Sequence, residues 1–384
     1  MKKQDQVQMR RQNKYIVLDA IRQMAPISRI QLSKYTKMSP TTITRIVQEL
    51  EAEGFILEGV SEETAIGRRP TLIHMREDAL YTIGIEIDCF TIRLGILDFL
   101  GKLIAFQEIK CSIKHRYEEA IHLLKSSIAT IMSEYQIAQE KLLGIGIGVP
   151  GVINNEEGII VSSEQLKWEN CRIGEDLKNG VFDCEVIVDN ELKMQIIAEI
   201  GDIYTPLYSN CILVGMGTGV GASILLNGEV YRGIQNKAGE ISHITINPFG
   251  EMCHCGKRGC LSMYISEMTL LNRTPKNLNI QSIEEVLQCV DRGEQWAVDI
   301  QQDVATYLAI AINNLVCLYE PEAVIVSGEI IEHNVTFQKL LSEKCKQYIW
   351  KELQPHFVLQ FSNQLKEGVV KGAALQAQKQ LLSV

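Results

Sequence analysis

No apolar run in this 384-residue chain approaches the roughly 18–20 consecutive residues that a bilayer span requires. The opening MKKQDQVQMRRQNK has basic residues but no apolar stretch behind them, so a secretory signal is missing too. These absences argue against a membrane or exported protein and lead to the expectation of a cytoplasmic one. A disulfide framework is also disfavoured, because the eleven cysteines are odd in number and sit in a long chain without an export signal. Most of them read as small buried hydrophobes.

What is present is the composition of a globular protein, with 46% hydrophobic and 22% charged residues. Single cores stop growing near roughly 250–300 residues, so two or more domains are expected. The net charge of −9 conceals an asymmetry: residues 1–76 carry 13 Lys and Arg against 8 Asp and Glu, while residues 77–384 carry 25 against 39. A basic head on an acidic body suits a head that meets a polyanion.

The head reads as a helix-turn-helix. Ile16, Leu18, Ala20, Ile21 and Met24 recur near helical spacing over 12–24, and Pro26 closes the run. Ser28 and Gln31 form a capping box ahead of Ile30, Leu32 and Tyr35, which predicts a short second helix ending near Thr36. Ser39 is a good N-cap and Pro40 suits the first helical position, so a third helix runs through Ile43, Ile46, Val47 and Leu50 towards Gly54. Its exposed set is Ser39, Thr41, Thr42, Thr44 and Arg45. Hydroxyls suit phosphates and base edges, and a guanidinium at Arg45 suits bidentate contact with guanine in the major groove. A small helical protein-interaction module is the alternative. Against it, 55–57 and 71–74 read as two strands flanking a polar loop, the pattern of a wing. The loop ends in Gly67-Arg68-Arg69-Pro70, where Arg68 and Arg69 suit insertion into a narrow minor groove, the competing reading being a solvated basic loop.

In the body, Ile83, Ile85 and Ile87 alternate, then Ile92, Leu94 and Ile96, and the turn 99–101 leads into 103–106: a three-stranded meander. A helix at 117–135, an apolar strand at 142–149, a strand at 186–188 and a helix from Glu191 follow. The pattern then repeats from Ile212-Leu213-Val214 through the glycine-rich turn 215–221 and the hairpin signal Asn227-Gly228. Two such lobes imply a cleft suited to a ligand. The glycine turn suits either a phosphate or a tight hairpin.

His243 followed by Cys253, Cys255 and Cys260 matches a tetrahedral Cys₃His zinc site, with glycines that let the backbone wrap. Four protein ligands would make the metal structural rather than catalytic. His254 is the competing imidazole, but both its neighbours are cysteines aimed at the metal, which leaves it badly placed.

With these motifs on the page, the chain resembles the ROK family of bacterial repressors and sugar kinases, and within it the repressors of the xylose repressor type. The likeness rests on 26–29 (PISR) and 67–70 (GRRP) in the head. In the body it rests on 148–151 (GVPG), 217–221 (GTGVG), 239–243 (GEISH) and the cysteine cluster. It implies a mixed α/β chain: a winged helix-turn-helix over 1–76, then a duplicated actin-like, ribonuclease H-like domain over 77–384. Lobe one would span about 77–198 plus the C-terminal helix, and lobe two about 199–369. It also implies operator DNA as partner, a sugar in the cleft with D-xylose as the effector, and homo-oligomers built as dimers or dimers of dimers. Matching the motifs places Asn190, Glu240 and His243 among the sugar contacts, with His243 bridging from the zinc, and Pro150 and Gly151 in the pocket floor.

The chain departs from the family's kinases. Where they carry Asp-x-Gly-Gly-Thr, it has Glu86-Ile87-Asp88-Cys89-Phe90, and Glu191 stands where their catalytic aspartate is expected. Cys260-Leu261 is followed by Ser262 in place of a sugar-binding glutamate. The expectation is therefore a repressor without kinase activity.

Overall fold

Alternating apolar residues between turns do form the predicted meander. In the computed structural model, Tyr81–Ile87, Thr91–Leu97 and Leu103–Lys110 pair antiparallel in sequence, with Ile85 opposite Leu94 and Leu94 opposite Gln107. The structure describes residues 2–60, 71–178, 182–201, 206–217 and 219–382, excepting the side chains of 2–8, 60, 329, 330 and 365. It divides into two compact units, Met1–Thr205 with Val369–Val384, and Pro206–Gly368.

Each unit is built on a five-stranded sheet, and the two sheets share one plan. In the first, Leu142–Val149 lies parallel to the first meander strand, and Glu185–Asn190 lies parallel to it in turn. In the second, Cys211–Met216, Val220–Leu226 and Glu229–Val230 form the meander, and Ala323–Ser327 and Val358–Phe361 add the two parallel strands. The fold is thus the duplicated α/β arrangement expected. Parallel strands need long crossovers, which here contain the helices Tyr117–Glu134 and Gln295–Tyr319. Both bury their apolar stripes in their own unit's core, through Leu124, Ile128 and Ile131 in one and Leu308, Ile312 and Leu315 in the other.

The last helix, Gly368–Leu382, begins where the chain leaves the second unit, and it packs on the first sheet at near backbone contact. A Cβ on Gly84 would lie 1.8 Å from the Val370 carbonyl oxygen, and one on Gly146 would lie 1.9 Å from that of Ala373. Only glycine allows this approach.

The head is a helix-turn-helix with a small antiparallel sheet. Its first helix runs Lys2–Met24, so it starts well before the Gln12 expected, because the polar segment ahead of Gln12 has no apolar stripe to reveal it. The second, Arg29–Thr36, has the full Ser28/Gln31 capping box, and the third, Pro40–Ala52, is capped by Ser39. The wing strands are Ile56–Val60 and Thr71–Met75, longer than read from sequence, and Ile27–Ser28 adds a third strand beside the latter. The loop between them, 61–70, lies outside the described residues. Phe99, read as part of a turn, is fully buried: its ring stacks on Phe55 of the head at 5.5 Å, and it joins the head's core.

A second feature escaped the sequence reading. The short strands Val152–Asn154, Ile159–Ser163 and Trp168–Cys171 form their own antiparallel sheet beyond Gly151. Several of its residues face solvent, which hides its period in the sequence. Among the described residues no helix is long and apolar enough to cross a membrane.

Candidate functional site

Ser39 and Thr42 occupy each other. The Ser39 hydroxyl accepts from the Thr42 amide at 3.1 Å and lies 2.9 Å from its hydroxyl, so this pair serves first to start the recognition helix. Thr41 and Arg45 are exposed one turn apart, and Thr44 is half-buried beside them. Gln48, exposed on the same face, was missing from the sequence-based set. Its spacing from Thr41 and Arg45 was the available signal. Arg68 and Arg69 lie outside the described residues.

In the first unit, the strand Glu185–Asn190 delivers Asn190 to the start of the helix Glu191–Glu199, which it caps by accepting from Leu192 N–H. The Asn190 amide nitrogen donates to the Gly151 carbonyl at 3.3 Å and to the Glu191 carboxylate at 2.7 Å. Two predicted sugar contacts, Gly151 and Asn190, are thereby brought together, next to buried Pro150. Gly151 has φ 124°, and a Cβ there would meet the Ser162 carbonyl at 2.3 Å, so the turn tolerates no side chain. Glu191, expected from the resemblance at the position of the kinases' aspartate, accepts from the Asn190 amide.

In the second unit, Gly239 locks the next segment to the sheet. Its carbonyl accepts from Ala222 N–H at 2.8 Å, and a Cβ would strike the Ala222 carbonyl at 1.9 Å. Exposed Glu240 and the short 3₁₀ turn Ile241–His243 follow at once, which puts Glu240 and His243 on one rigid segment.

The ligand atoms of His243, Cys253, Cys255 and Cys260 all lie within 4.8 Å of one another. The Cys255 and Cys260 sulfurs are 3.5 Å apart, and the Cys253 sulfur is 3.8 Å from His243 Nδ1. A tetrahedral zinc with Zn–S of about 2.3 Å places its ligands about 3.5–3.8 Å apart, so the donor set fits. His254 is not among them. The close thiols perturb one another. Burial tends to raise the Cys253 pKa, but hydrogen bonds from the Cys255 amide, Ser262, the Cys255 thiol and His243 bring it down to about 6. Burial, then the Cys255 and Cys253 sulfurs, push Cys260 up to about 12. With Nδ1 turned to the thiolates, the imidazole keeps Nε2 for another partner.

Residues 82–380 match the model of the ROK family, and residues 12–57 match that of the MarR family. The chain belongs to the ROK family. A xylose repressor of Caldicellulosiruptor bescii is 30% identical over 366 residues, covering 91% of this chain and 90% of that protein. The dual regulator NagC of Escherichia coli K12 is 28% identical over 336 residues, covering 83% and 81%. Among solved structures, a ROK family transcriptional regulator described as a homologue of the E. coli MLC protein superposes with a TM-score of 0.83 at 24% identity. It covers 98% of this chain and 97% of its own. That likeness shows the fold.

Within this ROK chain the segment expected from the resemblance at the kinases' phosphate loop makes a cross-strand ion-pair cluster. Glu86 lies opposite Arg93, which lies opposite Glu108 on the third strand. The Arg93 guanidinium donates to Glu86 at 2.9 Å and to Glu108 at 2.8 Å, with its side chain 14% exposed. Burial works against the Arg93 charge, but the two carboxylates outweigh it and raise its pKa. The Glu86 carboxylate is thus already paired, and Phe90 is exposed in the turn beyond it. Neither Arg93 nor Glu108 was singled out from sequence. The cross-strand register is what joins them.

Proposed function

We propose that this chain is a DNA-binding transcriptional repressor whose operator affinity is controlled by a sugar. The observation that carries the reading is one chain holding both a helix-turn-helix with an exposed Thr41/Arg45 face and a ROK body whose phosphate-loop carboxylate is tied to Arg93. The repressor names of the relatives support it. On this reading residues 1–76 meet DNA through Ser39, Thr41, Thr42, Thr44 and Arg45, with Arg68 and Arg69 in the minor groove. Residues 77–384 bind the effector through Pro150, Gly151, Asn190, Glu240 and His243. The metal is zinc, structural because the protein fills all four positions, and when bound it would pin the segment that carries His243. The protein works in the cytoplasm as a homo-oligomer, whose paired heads suit two half-sites. The effector acts by differential affinity for two conformations, a coupling typically worth about 1–3 kcal/mol.

D-xylose is the proposed effector. Asn190 and Glu240 can hydrogen-bond hydroxyls, and such sites discriminate strongly against analogues that lack them. A thermal-shift panel of D-xylose, D-glucose and N-acetylglucosamine tests this first, since a ligand of the folded state raises its stability. Titration of a protein–operator complex then decides. Release by xylose at about millimolar concentration or lower, abolished by Glu240→Ala, supports the reading. Release by a hexose or amino sugar alone removes xylose and leaves the repressor. We further propose that the chain is not an enzyme. ATP-dependent sugar phosphorylation at ordinary kinase rates of about 1–100 s⁻¹ would overturn that.

A further inference from the structure

The extended first helix places Arg10 against the recognition helix. Its Nη2 donates to the Glu49 carboxylate at 2.7 Å, and the next turn repeats the pattern with a Lys14–Glu53 ion pair. Glu49 also lies one turn beyond Arg45, whose Nε stands 3.9 Å from the same carboxylate oxygen. The Arg10 and Arg45 side chains are 61% and 60% exposed, whereas that of Glu49 is 23% exposed. One half-buried carboxylate is therefore shared by two solvent-facing guanidiniums, with the closer contact going to the residue outside the recognition helix.

We infer that Glu49 is a positioning residue for base readout and that Arg10 sets how strongly it holds Arg45. The inference rests on the DNA-reading function proposed above. A carboxylate on a helix that enters the major groove repels phosphate unless it meets a cytosine amino group, and that of Glu49 is turned to Arg10 instead. Here its charge is neutralised by Arg10, so the helix face stays cationic. Among the described residues Arg45 has one ion-pair contact, through Nε at 3.9 Å, and its two Nη groups make none. Those are the donors that span guanine O6 and N7. Exposed ion pairs add little to stability, so the arrangement matters for orientation rather than for folding. Without Arg10, the i, i+4 attraction between Arg45 and Glu49 has no competitor, and Arg45 is drawn onto its own helix. Without the Glu49 charge, Arg45 is released to the nearest phosphates.

The test uses full-length protein, a duplex selected by it from a random pool, and a scrambled duplex of equal composition. Affinities for both are measured across salt for wild type, Arg10→Ala, Arg10→Lys, Glu49→Gln, Arg45→Ala and the double variant Arg10→Ala/Arg45→Ala. The expected result is a drop in the selected-to-scrambled ratio of roughly tenfold for Arg10→Ala, close to that for Arg45→Ala, since one bidentate contact discriminates on that order. The double variant should lose no more than Arg45→Ala alone, and Arg10→Lys should restore the ratio. Glu49→Gln should lower the ratio while raising affinity for the scrambled duplex. If Arg10→Ala weakens both duplexes equally and lowers the salt slope by about 0.9, Arg10 is a plain phosphate contact and the inference fails. It also fails if Glu49→Gln leaves the ratio unchanged. Should wild type select no duplex at all, the DNA-reading proposal falls and takes this inference with it, an outcome distinct from either of the others.

Discussion

Gln378 joins the last helix to the head, and its replacement tests how firmly the two are held together. Its side chain is 1% exposed and makes two bonds: its carbonyl accepts from Arg22 Nη2 at 2.9 Å, and its amide donates to the Phe99 carbonyl at 3.1 Å. A bond to a charged donor contributes about 1.5–3 kcal/mol and a neutral one about 0.5–1.5 kcal/mol, and a stranded buried acceptor costs about 1–3 kcal/mol. Arg22 keeps its position over the Phe99 ring, 5.9 Å from the centroid, which limits the loss on that side. Gln378→Ala should therefore cost about 3 kcal/mol locally, a rise of about a hundredfold in opening of the head. Gln378→Met nearly keeps the volume and removes both bonds, so it should retain most of the effect without the cavity that alanine adds. Hydrogen exchange read by mass spectrometry distinguishes the peptides. Protection should fall in Pro40–Ala52 and persist in the interior strand Leu142–Val149. Unchanged exchange in the recognition helix of both variants would refute the reasoning, as would equal loss in the strand Leu142–Val149.

Freshly purified protein should contain about one zinc per chain, and Cys255→Ser should lower thermal stability and sugar response together; elemental analysis without zinc removes the metal assignment. Because burial and neighbouring sulfurs hold the Cys260 thiol protonated at neutral pH when no metal is bound, its pKa being about 12, rebinding of zinc to stripped protein should release protons. Affinity should rise with pH, and a pH-independent affinity between about 6 and 8 would contradict the thiolate assignment. Gly146→Ala should prevent folding or cost more than about 4 kcal/mol, since the Ala373 backbone lies 1.9 Å from the new Cβ; near-wild-type melting would show that the last helix can shift.

Much of this protein was legible in the sequence because the deciding interactions are local. Ser28 bonds Gln31 three residues away, Ser39 bonds Thr42, and the metal ligands other than His243 fall within eight residues. Alternation in 83–96 and the glycines of 215–221 announced the meanders for the same reason. What the tertiary structure decided depends on residues far apart in the chain. The register of three strands makes a half-buried triad of Glu86, Arg93 and Glu108, whose partners look like ordinary strand charges one at a time. Phe99 belongs to the head's core only because the head covers that hairpin turn, and Asn190 meets Gly151 only because two parallel strands end side by side. The start of the first helix was hidden because the sequence of its first turns carries no apolar stripe. Instead Arg10 and Lys14 find carboxylates 39 residues away, and periodicity in one segment carries no trace of a partner in another.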